Sequence, residues 1–261
     1  MLVRAWEPAG ERGRVRFRAE PVDVAAFVPP RSLPARSVEP AGEGELKVAV
    51  ERMRFALGVD DDLGEFFRRF RRDLVLGPAL RRWPWLRPGR RPWAWEALAW
   101  AVVKQLIESG RAARIQRRIV GRWGARLGRE RDALRDVPDA ATIAARAPAE
   151  LSAMDLSPAR SVALRKVAAE IVAGRVAPGE PGGDARLLAI PEVGPWTVQC
   201  LGLFGRGDPD SLPAGDLIYI KLVGRLAGLG RRATVEEVEE YFAPYAPFRG
   251  LAASWTAKLY G

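Results

Sequence analysis

Residues 95–124, "WEALAWAVVKQLIESGRAARIQRRIVGRWG", repeat their apolar side chains at the period of a helix and not of a strand. Trp95, Leu98, Ala99, Val102, Leu106 and Ile107 fall on one stripe. After a break expected at Gly110, Ile115, Ile119, Val120 and Trp123 form a second. Two such stripes in succession bury best against further helices, so a mostly α body is expected. The same period recurs elsewhere. Asp60 or Asp61 is placed to cap a helix containing Leu63, Phe66, Phe67 and Phe70. Asp139 suits an N-cap. In "LSPARSVALRKVAAEIVAG", Ser157 caps, Pro158 takes the first helical position, and Gly174 stops the helix. Only the beginning of the chain reads differently. Val15, Phe17 and Ala19 alternate with charged residues as a strand does, before Pro29, Pro30, Pro34 and Pro40 break the pattern.

One interruption in the helical pattern asks for a reason. In "LLAIPEVGPWTVQC", Leu187–Ile190 finish a helix, "PEVG" makes a tight hairpin, and Pro195 opens the next helix, with Val198, Leu201 and Phe204 on its apolar face. Gly194 is free to take a positive φ and to let another backbone approach. The first amides of the second helix lack intrahelical acceptors, so they can hold an anion such as a DNA phosphate, a contact that positions without reading a base. An ordinary helix–turn–helix connection explains the turn equally well.

Composition narrows the chemistry. The chain has no histidine, which removes histidine general acid–base catalysis, serine–histidine triads and most catalytic zinc sites. Its single cysteine, Cys200, excludes a disulfide framework and a four-cysteine iron–sulfur cluster. If this is an enzyme, carboxylates are expected to do the work. A net charge of +10, carried mostly by arginine, suits a polyanion such as nucleic acid, although GC-rich coding raises arginine as well. The loop "RRWPWLRPGRRPWAW" offers rings that either stack on bases or pin the loop to the core, and packing is favoured. No apolar run reaches membrane-spanning length and the first residues do not form a signal peptide, so a cytoplasmic protein is expected.

After the hairpin comes "LGLFGRGDPDSLPAGD" and then the helix "LIYIKLVGRL". Asp216 stands directly before that helix, where an aspartate caps whether or not it does anything else. Asp208 and Asp210 compete as carboxylates, but "GDPDS" reads as an exposed turn.

The order of these pieces resembles the helix–hairpin–helix–GPD superfamily of base-excision DNA glycosylases, and within it the DNA-3-methyladenine glycosylase II (AlkA-like) branch. The likeness runs over roughly residues 50 to 260 and rests on the whole combination. It implies a two-lobed helical helix–hairpin–helix fold with a short N-terminal β-containing segment at 1–46. One lobe would be built from 47–95 with 217–261, and the other, carrying the hairpin, from 96–216.

By position, the resemblance makes Asp216 the catalytic aspartate and Pro191, Glu192, Val193, Gly194, Pro195 and Thr197 the DNA-binding hairpin. Leu106 would wedge into the gap left by a flipped base, beside Gln105, although a core leucine fits the stripe equally well. Trp196 would line the base pocket, with Trp255 as a second ring slightly displaced from where one is expected. In some relatives three hairpin carbonyls hold a structural monovalent cation. The matching residues are Leu188, Ile190 and Val193, and no other cofactor is required. Strand-cutting members carry a Schiff-base lysine where this chain has Trp196, and tryptophan forms no imine. A monofunctional glycosylase is therefore expected, acting as a monomer on alkylated bases of the 3-methyladenine and 7-methylguanine type in double-stranded DNA. Cys200 stands where a pocket tyrosine is expected, which puts the substrate range in doubt. Three alternatives stand beside this reading: a non-catalytic DNA-binding protein, a glycosylase for deaminated or oxidised purines, and a helical scaffold whose charge is genomic bias.

Overall fold

The computed structural model describes residues 43–127 and 134–261. The strand expected around Val15–Ala19 lies outside the described residues. Thirteen α-helices run through the rest. They are α1 (Glu43–Leu57), α2 (Gly64–Phe70), α3 (Leu76–Arg82), α4 (Ala94–Lys104), α5 (Ser109–Trp123), α6 (Ala140–Ala144), α7 (Pro148–Ser152), α8 (Pro158–Val172), α9 (Asp184–Leu188), α10 (Pro195–Leu201), α11 (Leu217–Leu226), α12 (Val235–Phe242) and α13 (Arg249–Tyr260). Extended pairing among the described residues is limited to β1 (Arg126–Leu127) against β2 (Leu134–Arg135), antiparallel.

The buried side chains form two cores. The first gathers Leu98, Val102, Ile115, Ile119, Leu164 and Leu201 from α4, α5, α8 and α10. The second gathers Phe66, Leu76, Leu222, Phe242, Leu251 and Trp255 from α2, α3 and α11–α13. Leu212 and Ala214 belong to the second core, so the chain passes from one core to the other between Phe204 and Leu212. The periodic residues form these elements because each stripe has an opposite stripe to meet. At the tightest approach α4 lies so near the continuation of α10 that a Cβ on Gly205 would stand 2.8 Å from the Cβ of Ala97.

Local signals work as their chemistry requires, with instructive exceptions. Asp139 Oδ1 accepts from Thr142 N at 2.7 Å, and Ser157 Oγ accepts from the backbone N of Arg160 at 3.4 Å. Gly174, at φ 69°, follows the end of α8. Neither Asp60 nor Asp61 caps α2: its N-cap is Leu63, which makes no side-chain cap, and Asp62 Oδ1 accepts from Gly64 N at 2.8 Å. Asp60 and Asp61 are engaged by Arg54 and Arg90 instead. The turn containing Asp208 and Asp210 is less free than it reads, because Asp210 takes the backbone N of Arg249 at 3.1 Å and its guanidinium at 2.6 Å.

The tryptophan–arginine–proline loop is pinned chiefly by its arginines. Arg87 Nε donates to Gly58 O at 3.2 Å, Arg90 Nη1 to Phe55 O at 3.3 Å, and the backbone N of Arg91 to Phe204 O at 2.8 Å. Trp95 and Trp100 pack on the first core, whereas Trp85 projects into solvent.

Candidate active site

The site assembles where α4 ends, α10 begins and α11 begins. Helix α4 stops at Lys104 and the chain turns sharply before α5 starts at Ser109. The break therefore falls before Gly110, which lies inside α5. The turn is made by Leu106, at φ 53°, a left-handed conformation that costs an L-residue energy. Leaving the helix takes Leu106 off the apolar stripe. Its side chain is fully exposed, at 101% of the reference value, and is not a core leucine.

Across from this turn lies the hairpin. Helix α9 ends at Leu188, and Val193 N donates to Ile190 O at 3.0 Å to close the bend. The left-handed residue is Glu192, at φ 71°, and not Gly194, which sits extended at φ −101° and ψ −179° as the residue before α10. Glycine is still suited there, because nothing lies within 4 Å of where its Cβ would be and the backbone stays open to an approaching group. Pro191, Glu192 and Pro195 are exposed; Val193 and Thr197 are buried. Of the three carbonyls matched to a cation site, only that of Ile190 accepts a backbone hydrogen bond from the hairpin. The carbonyls of Leu188 and Val193 keep their lone pairs, which suits an oxygen-seeking monovalent cation.

Gln105 joins the two turns. Its Nε2 donates to Glu192 O at 2.5 Å and to Thr197 Oγ1 at 2.8 Å. Thr197 thus spends its hydroxyl inside the fold. Arg160, from α8, donates through Nη1 to Val103 O at 3.2 Å and Gln105 O at 2.9 Å, while its Nε donates to Ser157 Oγ at 2.9 Å.

Asp216 is the N-cap of α11. Its Oδ1 accepts from Ile218 N at 3.0 Å, and the side chain is half-buried. Gly215 brings it to Trp196: a Cβ on Gly215 would stand 3.7 Å from Trp196 Cβ and 3.8 Å from Cδ1. The Trp196 indole N–H is buried without a hydrogen-bond partner among the described residues. One turn along α10 from Trp196 lies Cys200, buried, with burial and the nearby Asp216 carboxylate both pushing its thiol up. A thiol so placed stays neutral and is a poor nucleophile.

Lys104 completes the cluster. Although the residue is exposed, lost hydration along its stem and the charge of Arg91 lower its ammonium, while Cys200 and Asp216 act the other way. Sequence reasoning did not single out Lys104 or Arg160. Each was legible as a charge in an otherwise apolar setting: Lys104 ends "AWEALAWAVVK", and Arg160 sits in the first turn behind the Ser157 cap.

Trp255 is not part of this cluster. It is fully buried in the second core, 5.5 Å from the Phe66 ring, and its Nε1 donates to Trp83 O at 3.3 Å. Helix α13 points the indole inward, so the ring cannot stack on a base. Elsewhere, a cavity of about 140 Å³ lined by Asp62, Leu63, Arg90, Leu203, Phe248 and Leu251 opens beside the second core, and it includes neither Trp196 nor Asp216.

Comparison with solved structures places this geometry in a known class. The chain superposes on a 3-methyladenine DNA glycosylase from Archaeoglobus fulgidus with a TM-score of 0.72 at 21% identity, over 84% of this chain and 76% of that one. It also superposes on an 8-oxoguanine glycosylase/lyase from Clostridium acetobutylicum, bound to DNA with cytosine opposite 8-oxoG, with a TM-score of 0.70 at 15% identity, over 84% and 76%. The fold is therefore that of the helix–hairpin–helix–GPD DNA glycosylases.

Its curated relatives carry more particular names. It is 38% identical over 73 residues to the probable bifunctional transcriptional activator/DNA repair enzyme AlkA of Mycobacterium tuberculosis, which is 27% of this chain and 14% of that protein. It is 22% identical to the DNA-3-methyladenine glycosylase of Bacillus subtilis, over 74% of this chain and 66% of that protein. The chain thus spans a small part of the first relative and just under two thirds of the second. No protein-family model matches it.

Proposed function

We propose that the chain is a monofunctional DNA glycosylase of base excision repair, which hydrolyses the N-glycosidic bond of alkylated bases in double-stranded DNA. The observation that carries this reading is Leu106. A scaffold has no use for a leucine held left-handed and wholly in solvent, yet a protein that must fill the gap left by an extruded base does. The relatives' names support a glycosylase acting on alkylated bases, and the DNA-bound neighbour, itself a glycosylase/lyase for 8-oxoguanine, supports DNA binding alone.

In this reading the hairpin from Pro191 to Pro195 grips a backbone phosphate through its open amides. A monovalent cation on the carbonyls of Leu188, Ile190 and Val193 would stiffen it. Leu106 enters the duplex while the damaged nucleotide swings out, and Trp196 meets the extruded base. A base alkylated at a ring nitrogen is cationic, and an indole face attracts it by about 0.5–2 kcal/mol. Such a base leaves as a neutral molecule when the bond from C1′ to nitrogen breaks and the electron pair departs with the base. It needs no protonation first, which fits a chain without histidine. Asp216 keeps one oxygen on the amide of Ile218 and offers the other to the cationic sugar or to the attacking water, whose oxygen bonds C1′ as its proton passes to that carboxylate or to solvent.

Hydrolysis, and not imine formation, follows from tryptophan at 196. Because Trp255 is buried, Trp196 is the ring available to the base from this pair. The monomer expected from the sequence and the preference for alkylated over deaminated or oxidised bases belong to the same proposal.

The test is Asp216→Asn on duplexes carrying 3-methyladenine or 7-methylguanine. Base release should be lost with duplex binding retained, and undiminished release would remove Asp216 from the chemistry. A parallel incubation of the unaltered protein with abasic DNA and borohydride should leave no covalent adduct. Capture of one would overturn the monofunctional reading and turn attention to Lys104, whose ammonium feels the Asp216 carboxylate.

A further inference from the structure

Two residues near the site, neither of them glycine, hold left-handed backbone: Leu106 at φ 53° and Glu192 at φ 71°. They lie far apart in sequence and on opposite sides of the α4–α10 contact. Strained residues of this kind persist only when their surroundings hold them. One side chain bridges them. Gln105 Nε2 reaches the carbonyl of Glu192 itself and the hydroxyl of buried Thr197 in the first turn of α10. Gln105 is in turn held at its own carbonyl by Arg160, whose other bonds fix it to Val103 O and the Ser157 cap. A continuous path of hydrogen bonds therefore runs from α8 through the wedge turn to the hairpin. The Nε2 donor is committed inside the protein, while Oε1 is buried without a hydrogen-bond partner among the described residues.

We propose that Gln105, latched by Arg160, is a positioning residue that couples the phosphate-gripping hairpin to the Leu106 wedge, so that grip and base extrusion act as one unit. This rests on the glycosylase reading for its functional half and on the hydrogen bonds alone for its structural half. Without the brace the hairpin keeps its amides and still holds a phosphate. The wedge turn then relaxes independently, and part of the energy of grip no longer reaches the base. Gln105 acts through Leu106, and once Leu106 is gone the brace has nothing to drive.

The experiment is a double-mutant cycle with Gln105→Met, Leu106→Ala and the pair together. Gln105→Met preserves length and removes the donor. Gln105→Asn, which keeps the amide but shortens its reach, serves as a second variant should Met disturb folding. Each is measured for affinity to undamaged and abasic duplexes, and for fluorescence of 2-aminopurine placed at or beside the extruded position. Gln105→Met is expected to weaken abasic binding about tenfold, the worth of one or two such hydrogen bonds. It should lower the 2-aminopurine signal and move undamaged-duplex affinity less than twofold. In the pair, the Gln105 change should add nothing to Leu106→Ala. Additive losses, or equal losses on both duplexes, overturn the coupling.

Amide hydrogen exchange in the DNA-free protein is the companion measurement. Gln105→Met should speed exchange at residues 106–107 and at 192–194 together, and a change at only one turn overturns the brace. If the unaltered protein shows no preference for abasic DNA, the glycosylase reading fails, and the exchange result still decides whether the two turns are joined.

Discussion

Replacing Leu106 with glycine should leave the free protein at least as stable while damaging its hold on a lesion. The residue is fully exposed, so removing it forfeits no buried apolar area. Its backbone sits at φ 53°, where an L-residue is strained by about 1–2 kcal/mol and glycine is not. Glycine loses about 0.5–1 kcal/mol through its freer unfolded chain. The net is a stabilisation of about 0–1.5 kcal/mol, or about 0–5 °C in melting temperature for a domain of this size. A leucine packed in the core would behave oppositely, costing about 2–5 kcal/mol on truncation. In the proposed DNA complex the side chain would fill the vacated stack, and burying it there would contribute about 1.5–3 kcal/mol. Its loss should therefore weaken abasic-duplex binding about 10- to 150-fold, with little change on undamaged DNA. Thermal melting and fluorescence anisotropy on the two duplexes measure both halves. A fall in melting temperature of several degrees would show that Leu106 is structural. Unchanged abasic affinity would show that it does not enter the helix.

Trp255→Ala should destabilise the protein by about 3–5 kcal/mol, because the ring is fully buried against Phe66. Calorimetry without DNA checks this, and a small change would reopen a pocket role. Glu96 is the clearest pH reporter: burial pushes its carboxyl up, against the opposing effects of Arg91 and the Trp100 indole N–H. Because the folded form holds its proton longer, Glu96's contribution to stability is complete below the ordinary glutamate range. It is lost as pH rises through the raised folded value. Glu96→Gln, which still offers an acceptor to Arg91 and Trp100, should flatten that part of the melting-versus-pH curve and melt no lower than the parent at neutral pH. Parallel curves for the two proteins would refute the assignment.

The helical body was legible because its signals are local. Apolar stripes, Ser157 with Pro158, Asp139, and Pro195 after the hairpin each set their element through contacts within a few residues. The site was legible as a set of names but not as an arrangement. Leu106 fits the helical stripe by spacing, and only the left-handed turn that ends α4 takes it out of the core. The hairpin's left-handed residue is Glu192 where glycine was the natural expectation, and its carbonyl is held by Gln105, a partner distant in sequence. Trp255 reads as a pocket ring until the direction in which α13 faces is known. Lys104 and Arg160 act across helices, and a single chain read in order has no means of pairing them with Asp216 or Gln105.

The passage of the chain between the two cores has a mechanical meaning. The hairpin, Trp196 and the wedge turn are built on the first core. The segment leading to Asp216 is moored to the second through Leu212, Ala214 and the contact of Gly250 with Ser211, where a Cβ would stand 2.2 Å from the carbonyl oxygen. The carboxylate and the grip are therefore carried on two frames, one core each, joined where Ser211 Oγ donates to Gln199 O at 3.1 Å and where Gly215 lies against Trp196. Any looseness between the frames misplaces the proposed catalytic oxygen while every helix remains intact, so turnover would report the alignment of the lobes and melting would report only their integrity.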